Sequence, residues 1–284
     1  MKSLVNKLSD KNYILYFHND PLSMSGSKTI QERIFLLNSC YRIIFNSNWS
    51  KKRFLQGMQS DAINSEKLLV INQSATKNII NFKNKKNIIT FVGKLNRSKG
   101  YDLFGKAVIK ILNKYKNWSA YVIGDEPRDK LEFNHKRLFK LGFKEHKYVI
   151  NLYKKTSIAV VCSRWDEPFG RTSLEAAANG CAVIISNKGG LPETITNGII
   201  LKKLNVSEIY NKIKDLIINL KNRESYQKLS YKNFYLSHQY VSKQIDDVRN
   251  NLLKISKPLI KLQPNNLRIL HITNFNERHK DRKS

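Results

Sequence analysis

The sequence predicts an α/β protein built on parallel sheets, and three observations predict it. Short apolar runs of strand length recur along the chain, and amphipathic stretches with helical spacing lie between several of them. Alternation of this kind places helices on both faces of a parallel sheet. At 284 residues the chain suits two modest domains, at roughly 100–200 residues each. Its 41% hydrophobic content provides for packed cores rather than a disordered chain.

Taken in order, the strand-like runs are YILYF (13–17), RIIFNS (42–47), KLLVIN (67–72), NIITFVG (87–93), SAYVIG (119–124), SIAVVCS (157–163) and CAVIIS (181–186). Between 101 and 115, apolar residues fall at Leu103, Phe104, Ala107, Val108, Ile111, Leu112 and Tyr115, with lysines opposite. That spacing is one face of a helix. Residues 206–220 repeat it through Val206, Ile209, Ile213, Leu216, Ile217 and Leu220. The polar segment 74–87, rich in lysine and asparagine, reads as a linker, which gives a first unit at 1–82 and a second at 83–255. A break with prolines at 258 and 264 precedes a tail, 256–284, in which RILHITNF (268–275) looks like one more strand. That strand is expected to open a further domain that is cut short.

Lys and Arg outnumber Asp and Glu by 51 to 22, a net charge of +29. An excess of this size points to an anionic partner, whether phospholipid, nucleic acid or a phosphorylated substrate, although lysines scattered along the whole chain also fit compositional drift. Recognised nucleic-acid motifs, aromatic RNA-binding strands and dense lysine clusters are all missing, so nucleic acid is not the expected partner. Three cysteines without a CxxC, two of them in apolar runs, read as buried thiols of a reducing compartment. The N-terminal residues lack the apolar core of a signal peptide, and no run approaches the roughly 18 apolar residues of a membrane span. A cytoplasmic protein, peripheral to the inner face of a membrane at most, is expected.

The chemistry gathers at strand ends. In open parallel sheets ligands bind beyond the carboxyl ends of the strands. Here 87–93 runs into KLNRSKG, 119–124 into DEP, 157–163 into RWDEPFG and 181–186 into NKGG. Glu167 lies at the sheet rim, and Gly170 lets backbone approach a ligand. Thr172 or Ser173 caps a helix whose free N–H groups suit an anion. Glu175 sits in that helix, which Gly180 stops. Two carboxylates along one cleft accept hydrogen bonds from a hydroxyl-rich ligand such as a sugar or ribose; a Glu175 that merely caps the helix or pairs with a lysine is the plainer alternative. Lys94 and Lys99, on a loop bounded by Gly93 and Gly100, suit a diphosphate, though loop lysines are more often simply solvated.

These residues, taken together, resemble the retaining nucleotide-sugar glycosyltransferases of glycosyltransferase family 4, which have the GT-B fold. The matching pieces are FVGKLNRSKGYDLF (91–104), LGF (141–143), the Ser–x–x–x–Glu–Pro–Phe–Gly–x–x–x–x–Glu–Ala run (163–176) and GGLPE (189–193), in the family's order. They cover the second unit, residues 87–250. The resemblance implies a Rossmann-like, nucleotide-sugar-binding second domain. It also implies a partial Rossmann-like first domain, because YFHNDPLSMSGSKTIQERIFLL (16–37) and IIFNSNWSKKRFL (43–55) resemble only the last third of the family's N-terminal domain. The tail RILHITNFNERHK resembles the first strand and loop of such a domain.

The resemblance also implies roles. Glu167 contacts hydroxyls of the transferred sugar, and His18, at a strand end, faces the donor sugar; these are the expected catalytic positions. Gly93, Lys94, Lys99, Phe143, Phe169, Gly170 and Glu175 are the expected donor-binding positions. Lys94 stands where the family usually has arginine, with Arg97 near enough to compensate, and together with Lys99 it holds the diphosphate. Backbone N–H groups near Phe169 and Gly170 contact sugar and phosphate, Glu175 binds the ribose and Phe143 borders the base. No cofactor or metal is expected beyond the nucleotide-diphosphate sugar itself, and no DxD motif is present. The implied reaction is transfer with retention, with the leaving phosphate helping to deprotonate the acceptor hydroxyl of a cell-envelope glycan or lipid carrier. The alternatives are a remnant that binds the donor without transferring it and, behind that, a basic nucleic-acid-binding protein.

Overall fold

The structure is a computed structural model and describes residues 13–59, 65–255 and 269–272. Among these residues the chain divides into two compact units: 13–72 with 241–255 and 269–272, and 73–240. The segment 74–87 expected as a linker thus falls within the second unit, which begins at Gln73 and not at the expected residue 83. Its polar groups find partners there: Ala75 N–H donates to Leu236 O at 3.0 Å, Asn78 Nδ2 to Asn179 Oδ1 at 3.0 Å, and Tyr231 Oη to Asn78 O at 2.8 Å. The expected proline break at 256–266 lies outside the described residues.

The first unit is a parallel sheet in the order β10-β1-β2-β3, with β1 Ile14–Phe17, β2 Arg42–Phe45, β3 Leu68–Val70 and β10 Ile269–Ile272. The tail strand therefore pairs with β1, Ile269 opposite Ile14, where the sequence led us to expect the opening of a further domain. Helix α1 (Ile30–Ser39) begins with a capping box between Thr29 and Glu32, which satisfies two otherwise orphaned N–H groups. Helix α2 (Asn48–Leu55) is capped by Ser47. Phe17 and Phe45 stack at 5.6 Å and both meet Phe54, so aromatic area fills the layer between sheet and helices.

The second unit carries six parallel strands in the order β6-β5-β4-β7-β8-β9. They are β4 Lys86–Val92, β5 Ser119–Ile123, β6 Leu138–Lys140, β7 Thr156–Val161, β8 Ala182–Ser186 and β9 Ile199–Leu201. The order reverses between β4 and β7. A reversal of this kind is where open parallel sheets take ligands, beyond the carboxyl ends of the strands. Helices α3 (Tyr101–Lys114), α4 (His146–Lys155), α5 (Arg171–Ala178), α6 (Val206–Ile218) and α7 (Leu220–Lys232) complete the set, while α8 (His238–Ile255) belongs to the first unit from Val241 on. The periodic residues of 101–115 do face inward, with Phe104, Ala107, Val108, Ile111 and Leu112 fully buried against Ile89, Ile158 and Ile184. Each of the seven expected strands from 13–17 to 181–186 forms within one or two residues of its run. The short edge strands β6 and β9 were not anticipated; each buries one residue of three, too little for an apolar run or an alternation to show. Among the described residues no helix is long and apolar enough to cross a membrane.

Candidate functional site

The site forms where the sheet order reverses. The loop after β4 (93–100) and the loop after β7 (162–170) lie side by side. Ser98 O accepts from Arg164 N at 2.8 Å, Trp165 N at 3.1 Å and Ser163 Oγ at 3.2 Å. A Cβ on Gly100, at φ +75°, would stand 1.9 Å from Cys162 O, so the two backbones can meet this closely only at glycine. Arg164 joins them again, gripping Asp102 with two hydrogen bonds of 2.6 and 2.8 Å.

A third loop locks the second. The Gly189–Gly190 turn after β8 lies against Glu167, with Gly190 N–H donating to Glu167 O at 2.6 Å. The Glu167 carboxylate accepts an ion-paired hydrogen bond from Lys99 Nζ. Between these loops lies a cavity of about 160 Å³ bordered by Gly93, Lys99, Ser163, Glu167, Gly170 and Arg171. That is below the roughly 300–1,000 Å³ of a pocket for a drug-sized ligand. It has room for one small part of a larger molecule, set among Lys99, Glu167 and Arg171 and the apolar Phe91, Val161 and Leu191.

Gly170, at φ +115°, stands at the N-cap of α5 and gives it no side-chain cap. This corrects the expectation that Thr172 or Ser173 caps the helix. Both lie inside it, and the Ser173 hydroxyl turns to Gly170 O at 2.8 Å and to the Thr194 hydroxyl at 2.7 Å. The first N–H groups of α5 thus stay uncapped by a side chain beside the cavity, a favourable place for negative charge. Helix α5 ends at Asn179, followed by left-handed Gly180 at φ +66°.

Glu175, only 5% exposed, projects from α5. Its Oε1 accepts from Arg171 Nε and Nη2 at 3.3 and 3.1 Å and lies 3.1 Å from His146 Nε2. Phe169 is buried, whereas Phe143 stands 75% exposed after β6. Lys94 is exposed and does not border the cavity. In the first unit, His18 follows β1, half-buried, with its ring 4.2 Å from that of Tyr16 and its carbonyl accepting from Asn46 Nδ2 at 2.8 Å. Of the expected residues, Gly93, Lys99, Glu167 and Gly170 come together around one cavity.

Residues 72–233 match the family described as glycosyl transferases group 1. The chain belongs to that family. It is 32% identical over 156 residues to spore coat protein SA of Bacillus subtilis, spanning 49% of this chain and 41% of that protein. To the lipopolysaccharide core biosynthesis mannosyltransferase LpsB of Rhizobium meliloti it is 32% identical over 116 residues, 37% of this chain and 33% of that one. The chain thus covers less than half the length of either relative. Among solved structures, Anabaena HepE in complex with UDP-glucose superposes with a TM-score of 0.68 at 17% identity, covering 88% of this chain and 75% of that one. The shared fold is of the GT-B type.

Within this member of the group 1 glycosyltransferase family, two residues that meet Glu175 escaped the sequence reading. Arg171 borders the cavity and holds Glu175 from one helical turn away. An i,i+4 cation–carboxylate spacing is legible in a sequence. His146 arrives from α4, 29 positions before Glu175, and nothing local in the sequence joins the two.

Proposed function

We propose that this chain acts as a retaining glycosyltransferase, taking a sugar from a nucleotide-diphosphate donor to a glycan or lipid-linked acceptor without a metal ion. The observation that carries the reading is the cavity at the sheet reversal. It brings together a lysine ammonium, the uncapped start of α5, glycine backbone and the Glu167 carboxylate. Lys99, Arg171 and the α5 N–H groups would hold the diphosphate and stabilise charge on it as the glycosidic bond breaks, an electrostatic preorganisation. Glu167 would orient sugar hydroxyls. Glu175 would accept from the ribose, and exposed Phe143 would border the base. Lys94 would meet the outer phosphate. With the leaving phosphate drawing the acceptor proton, no protein nucleophile is required.

Two comparisons support the donor and the setting. HepE was crystallised with UDP-glucose, and LpsB is named for lipopolysaccharide core synthesis. The basic chain, at +29, fits work beside an anionic leaflet. The test is a thermal-shift series on the full chain with UDP, GDP, ADP and their sugar conjugates in chelator. A transfer assay in which NMR reads the anomeric configuration of the product then follows. One nucleotide raising the melting temperature and a retained anomer support the reading. No shift with any nucleotide, in a chain that melts cooperatively, overturns it.

A further inference from the structure

The pairing around Glu175 is lopsided. Arg171 Nε, Arg171 Nη2 and His146 Nε2 all address Oε1, at 3.3, 3.1 and 3.1 Å. A carboxylate oxygen offers about two lone-pair directions, so three nitrogens saturate it. Among the described residues Oε2 accepts no hydrogen bond and is not fully buried. Solvent therefore reaches Oε2, although the residue as a whole is buried. Enclosing a carboxylate is unfavourable unless its charge is met. Here an arginine and a histidine meet it at one oxygen and leave the other open.

From this geometry we infer that Arg171 and His146 are positioning residues. They clamp Glu175 through Oε1 so that Oε2 is held ready to accept from a vicinal diol, the 2′- and 3′-hydroxyls of the donor's ribose. The assignment rests on the donor-site reading above and adds to it the two residues that set how sharply ribose is recognised. Arg171 also borders the cavity, which ties the clamp to the part of the site that takes the diphosphate. Arg171 opens α5 and His146 opens α4, so two separate helix starts fix one carboxylate. Both clamp side chains are 59% exposed, and removing either leaves no hole in the core.

A purely structural role, neutralising a buried charge, predicts a different result. The experiment titrates the full chain calorimetrically with UDP, GDP and ADP, then with the 2′,3′-dideoxy form of whichever binds the wild type best. Wild type is expected to bind the dideoxy form about tenfold more weakly, the scale of hydrogen bonds to a charged acceptor. His146→Ala and Arg171→Met should each shrink that ratio to about threefold or less. His146→Gln, which keeps an N–H donor at similar reach, should restore most of it. Variants that melt earlier yet keep the full ratio would overturn the clamp and leave two counterions. Failure of the wild type to bind any of the three nucleotides overturns the donor-site reading itself, and the clamp with it.

Discussion

Lys99 and Glu167 form an ion pair across the two loops that leave β4 and β7. Each side chain is partly exposed, at 31% and 14%, so the pair borders the cavity rather than belonging to the core. An incoming diphosphate would compete with Glu167 for the lysine. Lys99→Ala is therefore expected to weaken binding of the preferred nucleoside diphosphate about tenfold, the worth of a charge-assisted contact. Affinity for the bare nucleoside should stay within about twofold. Parallel titrations of the diphosphate and the nucleoside check this. An unchanged preference for the diphosphate would remove Lys99 from the phosphate site.

Glycine matters unequally around that pair. Gly189 sits at φ +58°, and a Cβ there would stand 2.2 Å from Glu167 O and 2.6 Å from Glu167 N. Both atoms are backbone, so the loop carrying Glu167 would have to move. Gly93, at φ +150°, has nothing within 4 Å of its would-be Cβ. Gly189→Ala should thus destabilise the chain by about 2–3 kcal/mol and Gly93→Ala by only the backbone strain of about 1 kcal/mol. Thermal unfolding of both variants gives the order, and equal losses would mean that the clash relaxes cheaply.

Much of the second unit was legible in the sequence because its signals are local. Strands buried on both faces, such as Ala182–Ser186, leave unbroken apolar runs, and the Tyr101–Lys114 helix writes its buried face at regular spacing. The gathering of Gly93, Lys99, Glu167 and Gly170 around one cavity was legible because strand ends in a parallel sheet share one edge. Contacts made at long range were not. His146 reaches Glu175 only through the packing of α4 beside α5. Arg137 donates to Leu112 O, Tyr115 O, Lys116 O and Trp118 O, yet in sequence it is one more arginine among 51 basic residues. Lys85 is similar, binding Tyr153 O at 2.9 Å and Asn179 O at 2.7 Å. Those carbonyls lie at the C-terminal ends of α4 and α5, where a cation is favourable. Lys85→Met should lower stability by about 1–3 kcal/mol, read as a shifted denaturant midpoint with an unchanged slope. No shift would mean that water replaces the ammonium freely.

The three thiols offer a test of burial. Cys40, Cys162 and Cys181 are free and buried. Burial pushes Cys40 up to about 11 and Cys162 to about 12 and raises Cys181 as well. Because the thiolate is the reactive form, a water-soluble thiol reagent at about pH 8 should label none of the three in the native chain. All three should react in denaturant. Rapid labelling of any one under native conditions would show that its element opens.

The Asp102–Arg164 grip makes a prediction about acid. Hydrogen bonding from the Arg164 guanidinium holds the Asp102 carboxyl below its ordinary value of 3.8, against the opposing effect of desolvation. A carboxyl depressed on folding contributes stability that is fully present above its unfolded value and is lost as pH falls through the folded one. The partly exposed pair, 39% and 17%, is worth about 1 kcal/mol or less. Asp102→Asn should accordingly melt about 2–4 °C below wild type at neutral pH. The gap should hold down to about pH 5 and close as the pH drops below 3.8, because wild-type Asp102 then becomes neutral as well. Melting curves of the two chains from neutral to strongly acidic buffer follow the gap directly. A difference that persists unchanged at the acidic end would mean that the aspartate acts through its shape and its place in the first turn of α3, not through its charge.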